Sequence, residues 1–256
     1  MRKPITLVIA LFAFAIAAPA AAQRLWLKPF YGYLQAPMSD LNNRIEEQIR
    51  GWREVLDAPV AFPEKINGNV AYGGEIAYDF SDNYSVSLGL YYYKEESQVR
   101  HDIPAAQTLT RFNFERSVQL YDLFFNLRYH FFEVAYAGVN PYFGFGAGLA
   151  MGKAKSITQH FVDDLQGNVT FTLTDTQGDF DGNTTSGQIF LGVDARFSTF
   201  ASLWAEGGYQ AARVGQMDGT ILRPGSQASA FTSNTSFNYS GFYVRGGIGI
   251  ALPILK

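Results

Sequence analysis

The most constraining feature of the sequence is a strict alternation of side-chain character along its last segment, Ser240–Pro253. One set of alternate positions is small or polar and includes Arg245. The other set carries Phe242, Val244, Ile248, Ile250 and Leu252. Because successive side chains of a β-strand point to opposite faces, this period of two predicts a strand with one apolar and one polar face. We therefore expect the apolar face to contact lipid and Arg245 to face the interior of a closed barrel.

Seven earlier segments alternate in the same way. They are Leu25–Tyr33, Val70–Phe80, Tyr84–Tyr93, Val118–Phe131, Pro141–Gly152, Gln188–Phe197 and Leu203–Ala211. Short links, Ser81–Asn83, Phe132–Asn140 and Ser198–Ala201, alternate with long links, Leu34–Asn69, Glu95–Arg116, Lys153–Gly187 and Val214–Tyr239. This pattern predicts an all-β fold: an eight-stranded antiparallel transmembrane β-barrel with short periplasmic turns and long extracellular loops.

The first 22 residues have the features of an exported precursor. Met1-Arg2-Lys3 is basic, an apolar run extends from Ile5 to Ala18, and Ala20-Ala21-Ala22 precedes Gln23. A basic start, a short apolar run and small residues at the cleavage site predict a signal peptide over residues 1–22. We expect residues 23–256 to form one barrel domain in the outer membrane of a bacterium.

Charged residues share the polar face of the predicted strands. They are the cations Lys28, Arg128, Arg196 and Arg245 and the acids Glu75, Asp79, Asp122, Asp194 and Glu206. A soluble carrier barrel has the opposite arrangement, with an apolar interior, so these charges indicate a lipid-embedded barrel with a polar lumen. An eight-stranded barrel is just wide enough for side chains to fill. A salt-bridge network that fills the lumen is the favoured interpretation, and a gated polar pathway is the alternative.

Composition excludes several other classes of protein. The net charge is −3, whereas a nucleic-acid-binding protein carries a basic excess, so we expect no nucleic-acid partner. The sequence has no cysteine, which excludes disulfides and thiol chemistry. Nothing in it indicates a cofactor.

The first long link contains a helical pattern. Leu41, Ile45, Ile49, Trp52 and Leu56 recur at helical spacing, and Ser39 or Asp40 can cap the start. We predict a helix over about residues 40–57. It packs on the barrel rim, covers the lumen as a lid, or offers a docking face to a partner.

The three histidines are candidate catalytic residues. The histidines are His101 and His160 in outer loops and His130 at the periplasmic end of the fourth strand. An acyl hydrolase needs a nucleophile, a base and an orienting acid together, and the sequence does not place a serine and an acid beside these histidines. We predict no catalytic residues and no enzyme activity.

An acidic stretch in the fifth link offers oxygen ligands for calcium. It contains Asp175, Asp179, Asp181 and Asn183, but the spacing departs from that of an EF-hand loop. A solvated polar loop is the better interpretation, and we predict no metal site.

The chain resembles the small outer-membrane β-barrel family of Gram-negative bacteria, which includes the OmpA transmembrane domain, OmpX and OmpW. The resemblance rests on the eight alternating strands, on the glycine alternation of Pro141–Gly148 and on the closing Gly241–Leu252. It implies that Arg245, Gly247, Ile250 and Leu252 form the assembly signal of the last strand. The partners it implies are outer-membrane lipid, lipopolysaccharide and the barrel-assembly machinery, with a possible extracellular ligand at the loops.

For function, the sequence favours a structural or surface-interaction role with a lumen filled by salt bridges. A narrow channel for small or hydrophobic solutes, as in OmpW-like barrels, is the alternative. A hydrolase that modifies lipid A is the third hypothesis.

Overall fold

The protein folds into a β-barrel with a helix at its outer end, as seen in a computed structural model. The structure describes residues 24–56, 59–81, 83–104, 108–132, 138–164, 166, 168–223, 225–233 and 236–252. The predicted signal peptide lies outside these residues. The elements are β1 (Arg24–Leu34), α1 (Ser39–Leu56), β2 (Asn69–Asp79), β3 (Tyr84–Pro104), β4 (Thr108–His130), β5 (Gly138–Asp164), β6 (Val169–Arg196), β7 (Ala201–Val214), β8 (Met217–Leu222), β9 (Ser229–Ser233), β10 (Phe237–Asn238) and β11 (Gly241–Leu252).

Eight of these strands close into a ring. β1 to β7 pair in chain order, β7 pairs with β11, and β11 pairs with β1, always antiparallel. Leu27 lies opposite Ile250 on one side and opposite Ile76 on the other. The predicted eight-stranded barrel, closed by the first and last strands, is therefore confirmed, and the ring leaves no open sheet edge in the bilayer.

The two faces of each strand also follow the predicted alternation. Large apolar side chains such as Leu88, Leu191 and Ile248 are exposed on the outside. The predicted lumen charges are all buried inside, with Arg245 the most exposed of them at 6%. Aromatic side chains cluster at both ends of this apolar belt. Tyr72, Tyr92 and Tyr121 lie towards the outer end, and Tyr84, Tyr129 and Phe131 lie towards the periplasmic end. Such girdles mark the two interfaces of a lipid-embedded barrel.

Two of the long links are strands rather than loops. The predicted loop over residues 95–116 is the upper part of β3 and β4, and that over 153–187 is the upper part of β5 and β6. Inward residues such as Val99, Phe112 and Phe114 remain buried there. Above the bilayer the outward face is solvated and no longer needs apolar side chains. The alternation that identified the spanning strands therefore fades, although the backbone ladder continues.

The last long link is also partly β-structure. Within residues 214–239, predicted as a loop, β8 pairs with the upper part of β6, β9 pairs with β8, and β10 pairs with the end of β7. Phe180 on β6 contacts Phe231 on β9, with ring centroids 6.1 Å apart. The hairpin of β8 and β9 thus adds two strands beside β6 in the part of the barrel that lies beyond the membrane.

The helix α1 lies inside the ring formed by these extended hairpins. Ile45 and Ile49 are buried, and the Trp52 ring lies 5.2 Å from that of Phe112 on β4. The Asn42 side chain accepts from the backbone N–H of Ile66 and donates to its carbonyl, which ties the returning chain to the helix. Among the described residues, no helix has the length and apolarity needed to cross a membrane.

Candidate functional site

The lower part of the lumen contains a charge cluster near the periplasmic end. Lys28 Nζ lies 3.1 Å from Asp194 Oδ2, and Arg196 lies 3.0 Å from Asp79 Oδ2 and 3.6 Å from Asp194 Oδ2. Trp26 adds a hydrogen bond from Nε1 to Asp79 Oδ2 at 2.9 Å. Two cations and two acids therefore neutralise one another at this level.

A second cluster occupies the middle of the lumen. Arg128 Nη2 donates to Glu75 Oε2 at 2.8 Å and lies 3.4 Å from Glu206 Oε2. Arg245 lies 2.6 Å from Glu206 Oε1. Tyr142 donates its hydroxyl to Glu206 as well, at 2.9 Å. The four charged side chains come from β2, β4, β7 and β11, so their contacts cross the width of the barrel.

Asp122 differs from the other predicted members of the network. It is buried in the lumen, but among the described residues it forms no ion pair. Its carboxylate accepts from Ser186 Oγ at 2.7 Å and from Gln210 Nε2 at 3.2 Å. Arg245 pairs with Glu206 instead. Neutral donors therefore satisfy this carboxylate in place of a cation.

Aromatic rings surround the buried guanidinium groups, a feature that the sequence did not reveal as part of the site. The Arg245 guanidinium lies 4.8 Å from the Phe30 ring and 4.7 Å from the Phe124 ring. Cation–π contacts of this kind stabilise a desolvated cation. The sequence signal for this aromatic packing was the row of glycines on the inward face of β5. A Cβ added at one of them, Gly144, would overlap the Phe190 ring.

A small cavity lies beside Arg245. Its volume is about 20 Å³, and it lies in the upper lumen. It is lined by residues that include Phe30, Tyr91, Gln210 and Arg245. Since a single water needs roughly 10–15 Å³ of such space, this cavity accommodates about one water molecule.

The three histidines occupy different places. His130 is buried at the periplasmic end, where a ring nitrogen lies 3.0 Å from Ser85 Oγ. The register of β3 and β4 brings this pair together, which sequence spacing did not indicate. His160 is buried beside Trp52, with ring centroids 5.7 Å apart. His101 lies on the upper part of β3, so none of the three is in the lipid-facing belt.

The acidic stretch lies on the upper part of β6. Asp175 accepts a hydrogen bond from Gln159 at 3.2 Å. Asp179 and Asp181 occupy alternate positions of the strand, and both are exposed. Asn183 follows at the next position of the same phase. Within the described part of the chain, no group of three or more His, Cys, Asp or Glu side chains is arranged to hold a metal ion.

The residues matched to the assembly signal divide between the two faces of β11. Arg245 and Gly247 face the lumen, where a Cβ at Gly247 would overlap the backbone of Pro29. Ile250 and Leu252 are exposed on the outer face. All four lie opposite residues of β1, the strand that closes the barrel.

A larger cavity, which we call the outer pocket, lies between α1 and the extended hairpins. Its volume is about 630 Å³. Its lining includes Leu41, Ile45, Gln48, Trp52, Arg116, Val118, Ala154, Thr158, Phe180, Ile221, Phe231 and Phe237. This volume falls within the roughly 300–1,000 Å³ of small-molecule sites.

A closed ring of eight two-faced strands, an apolar outer belt and a charged interior define an integral outer-membrane β-barrel protein. The sequence profile of the outer membrane protein beta-barrel domain matches residues 8–240. The chain therefore belongs to the outer membrane protein β-barrel domain family, and its location is the bacterial outer membrane.

Similar solved structures were also found. OprG from Pseudomonas aeruginosa is 10% identical, with 93% of this chain and 99% of that chain covered and a TM-score of 0.45. A major outer membrane protein from Thermus thermophilus is 10% identical, with 89% and 99% covered and a TM-score of 0.43. Neisserial surface protein A is 13% identical, with 91% and 98% covered and a TM-score of 0.39. No curated protein sequence matched the chain.

Proposed function

We propose that the protein is a structural or surface-interaction barrel whose lumen is held closed by its buried salt bridges. The observation that carries the proposal is Arg128, which is 1% exposed and bridges Glu75 and Glu206 in the middle of the lumen. Removing one partner of such a buried pair costs about 3–5 kcal/mol, so the pairs are not exchanged readily. The charge cluster near the periplasmic end, which includes Lys28 and Asp194, supports the same conclusion.

The alternative of a narrow channel requires a continuous polar path. The cavity of about 20 Å³ beside Arg245 is of water size, and aromatic rings flank the guanidinium on two sides. A solute would have to displace both Phe30 and Phe124 as well as the ion pair with Glu206. The packing therefore favours a closed lumen over a conducting one.

We also propose that the barrel has no hydrolase activity. The Ser85–His130 pair is buried at the periplasmic end, away from the outer leaflet where an enzyme acting on lipid A would meet its substrate. Among the described residues, Nδ1 of His130 has no hydrogen-bond partner, so no acid orients the ring. A triad needs that third group.

The proposed partners follow from three parts of the barrel: the apolar belt, the last strand and the outer hairpins. Lipid and the acyl chains of lipopolysaccharide would contact the apolar belt that includes Leu88 and Leu191. The barrel-assembly machinery would recognise the last strand through Arg245, Gly247, Ile250 and Leu252. An extracellular ligand would meet the outer hairpins and α1.

Planar-bilayer recording on the refolded barrel tests the closed lumen. We expect no discrete conductance steps from the native protein. The double variant Glu75→Ala with Arg128→Ala removes the central pair and should introduce steps if this pair blocks the lumen. Lys94→Ala with Glu96→Ala removes an exposed pair, 2.5 Å apart, and is the matched control.

Two results would contradict the proposal. Unitary conductance from the native barrel would favour the narrow channel. A change in the lipid A mass spectrum of cells that express the protein, absent with His130→Ala, would favour the hydrolase.

A further inference from the structure

The outer pocket has walls of mixed chemistry. Ile45 and Val118 are buried, and Phe180 packs against the same apolar cluster. These side chains come from α1, β4 and β6, so helix and hairpins enclose the space together. A concave, mainly apolar site with a few polar groups is the usual form of a small-molecule pocket.

Arg116 is a cation of this lining that has neutral hydrogen-bond partners. Its Nη2 donates to Gln48 Oε1 at 2.8 Å, and its Nη1 donates to the Glu115 carbonyl at 3.3 Å. Both acceptors are neutral, and within the described residues Arg116 forms no ion pair with a carboxylate. Burial lowers the pKa of Arg116 to about 10, which still leaves it protonated at neutral pH.

The other charges of the lining do not neutralise Arg116. Arg44 and Glu47 are exposed at the rim of the pocket and have opposite signs. Lys155, also exposed, adds a further positive charge at the edge. The pocket therefore carries an excess of positive charge next to apolar walls.

A packed layer separates the pocket from the lumen charges. Val118 and Ala154 line the pocket, while Leu120 and Gly152, two residues further towards the membrane, are paired with each other. Met217 lies against Gly152, since a Cβ there would come within 2.8 Å of its Cε. Leu120 and Met217 are fully buried. The pocket is thus a blind recess that opens to the cell exterior.

We propose that the outer pocket binds a soluble anionic amphiphile, such as a medium-chain fatty acid. Its carboxylate pairs with Arg116, and its chain lies against Ile45, Val118 and Phe180. Guanidinium groups bind carboxylates through two parallel hydrogen bonds, and a partly desolvated pair of this kind is stronger than an exposed one. The pocket lies on the inner side of the hairpins, so a dissolved ligand reaches it more directly than a bilayer lipid does.

Calorimetric titration of octanoate into the full barrel, held in nanodiscs of zwitterionic lipid, tests this assignment. Empty nanodiscs supply the background for partitioning into lipid. Octanol and octylammonium are the matched ligands with a neutral and a positive head group. We expect saturable binding of octanoate and binding at least about tenfold weaker for the other two, which corresponds to about 1.4 kcal/mol.

Substitutions in the pocket lining test whether octanoate binds in the outer pocket. Arg116→Gln keeps hydrogen-bonding capacity without charge and should weaken octanoate binding by at least about tenfold. Ala154→Leu fills the pocket and should weaken octanoate and octanol alike. Arg50→Gln is the control, because Arg50 is exposed on α1 outside the pocket lining, and its one ion pair among the described residues is with Glu46, at 3.9 Å. The heat-dependent shift in electrophoretic mobility checks that each variant is folded.

Equal affinity of the native barrel for octanoate and octanol would overturn the proposal, even if Arg116→Gln did not fold. So would unchanged octanoate binding by a folded Arg116→Gln. Loss of octanoate binding in nanodiscs of anionic lipid, at an ionic strength that screens the repulsion between octanoate and the bilayer, would mean that bilayer lipid is the occupant, against the soluble ligand proposed. Because no voltage is applied, these outcomes are independent of whether the lumen conducts.

Discussion

Arg128 donates a 2.8 Å hydrogen bond to Glu75, although the two residues lie on β4 and β2 with the whole of β3 between them. Their side chains meet inside the lumen because both belong to the inward phase of their strands. Ser87, on the intervening strand, contacts both partners at 3.0 Å. Three neighbouring strands are therefore joined by side chains as well as by backbone hydrogen bonds.

Removal of this cation should strongly destabilise the barrel. In Arg128→Gln the Glu75 carboxylate loses its paired cation and keeps the Ser87 hydroxyl as a donor, whereas Glu206 keeps Arg245. An unpaired buried carboxylate predicts a loss of about 3–5 kcal/mol in the free energy of unfolding. Urea titration of the refolded protein measures it. The double variant Glu75→Gln with Arg128→Gln should recover part of this loss, and if it is no more stable than Arg128→Gln, the pairing is not the cause.

A charge on the outer belt should block insertion. Leu88 is exposed on the lipid-facing phase of β3. Leu88→Arg places a guanidinium in hydrocarbon and should cost about 2–4 kcal/mol near the midplane of the bilayer. The yield of folded barrel in lipid vesicles is the measurement. Gln98→Arg has the same phase on the same strand above the membrane and should fold normally, and normal folding of both variants would refute the face assignment.

The glycine face of β5 predicts a packing defect. A methyl group at Gly144 would overlap the Phe190 ring and come within 3.0 Å of the Leu127 carbonyl. Gly144→Ala should therefore destabilise the barrel by about 1–3 kcal/mol through overpacking. Gly207→Ala meets its nearest atoms at 3.6 and 3.8 Å and should change stability by less than about 0.5 kcal/mol. Equal unfolding midpoints for the two variants would show that Phe190 does not need this space.

The outer region should lose stability in mild acid. Burial lowers the pKa of His160, which is 2% exposed and packs against Trp52. Below about pH 6.5, the usual histidine pKa, the unfolded chain binds the proton that the folded chain resists, so the free energy of unfolding falls as pH falls. His160→Phe keeps the ring packing without a titrating group and should reduce the difference in stability between pH 8 and pH 5. His101→Phe, which changes a histidine outside the Trp52 contact, is the matched control, and equal slopes for the native protein and His160→Phe would exclude this contribution.

Much of the fold follows from local chemistry. The alternation of Phe242, Val244 and Ile248 with Arg245 is present in the sequence because lipid and lumen impose opposite requirements on neighbouring residues. It predicts the strands, their phase, the closing pair β1–β11 and the burial of Lys28 and Glu206. Where the membrane ends, that requirement ends too, so the strand extensions to Pro104 and Asp164 could not be read from the same pattern.

The sequence alone determined which side chains enter the lumen, because a strand has only two faces. Which of them meet was decided by the tertiary structure, since the stagger of eight strands sets the height of each side chain. Arg128 therefore reaches Glu75 two strands away, while Asp122 is satisfied by Ser186 and Gln210 instead of a cation. The outer pocket has the same origin: the helix spacing predicts α1, but only the closed ring brings Arg116 beside Gln48.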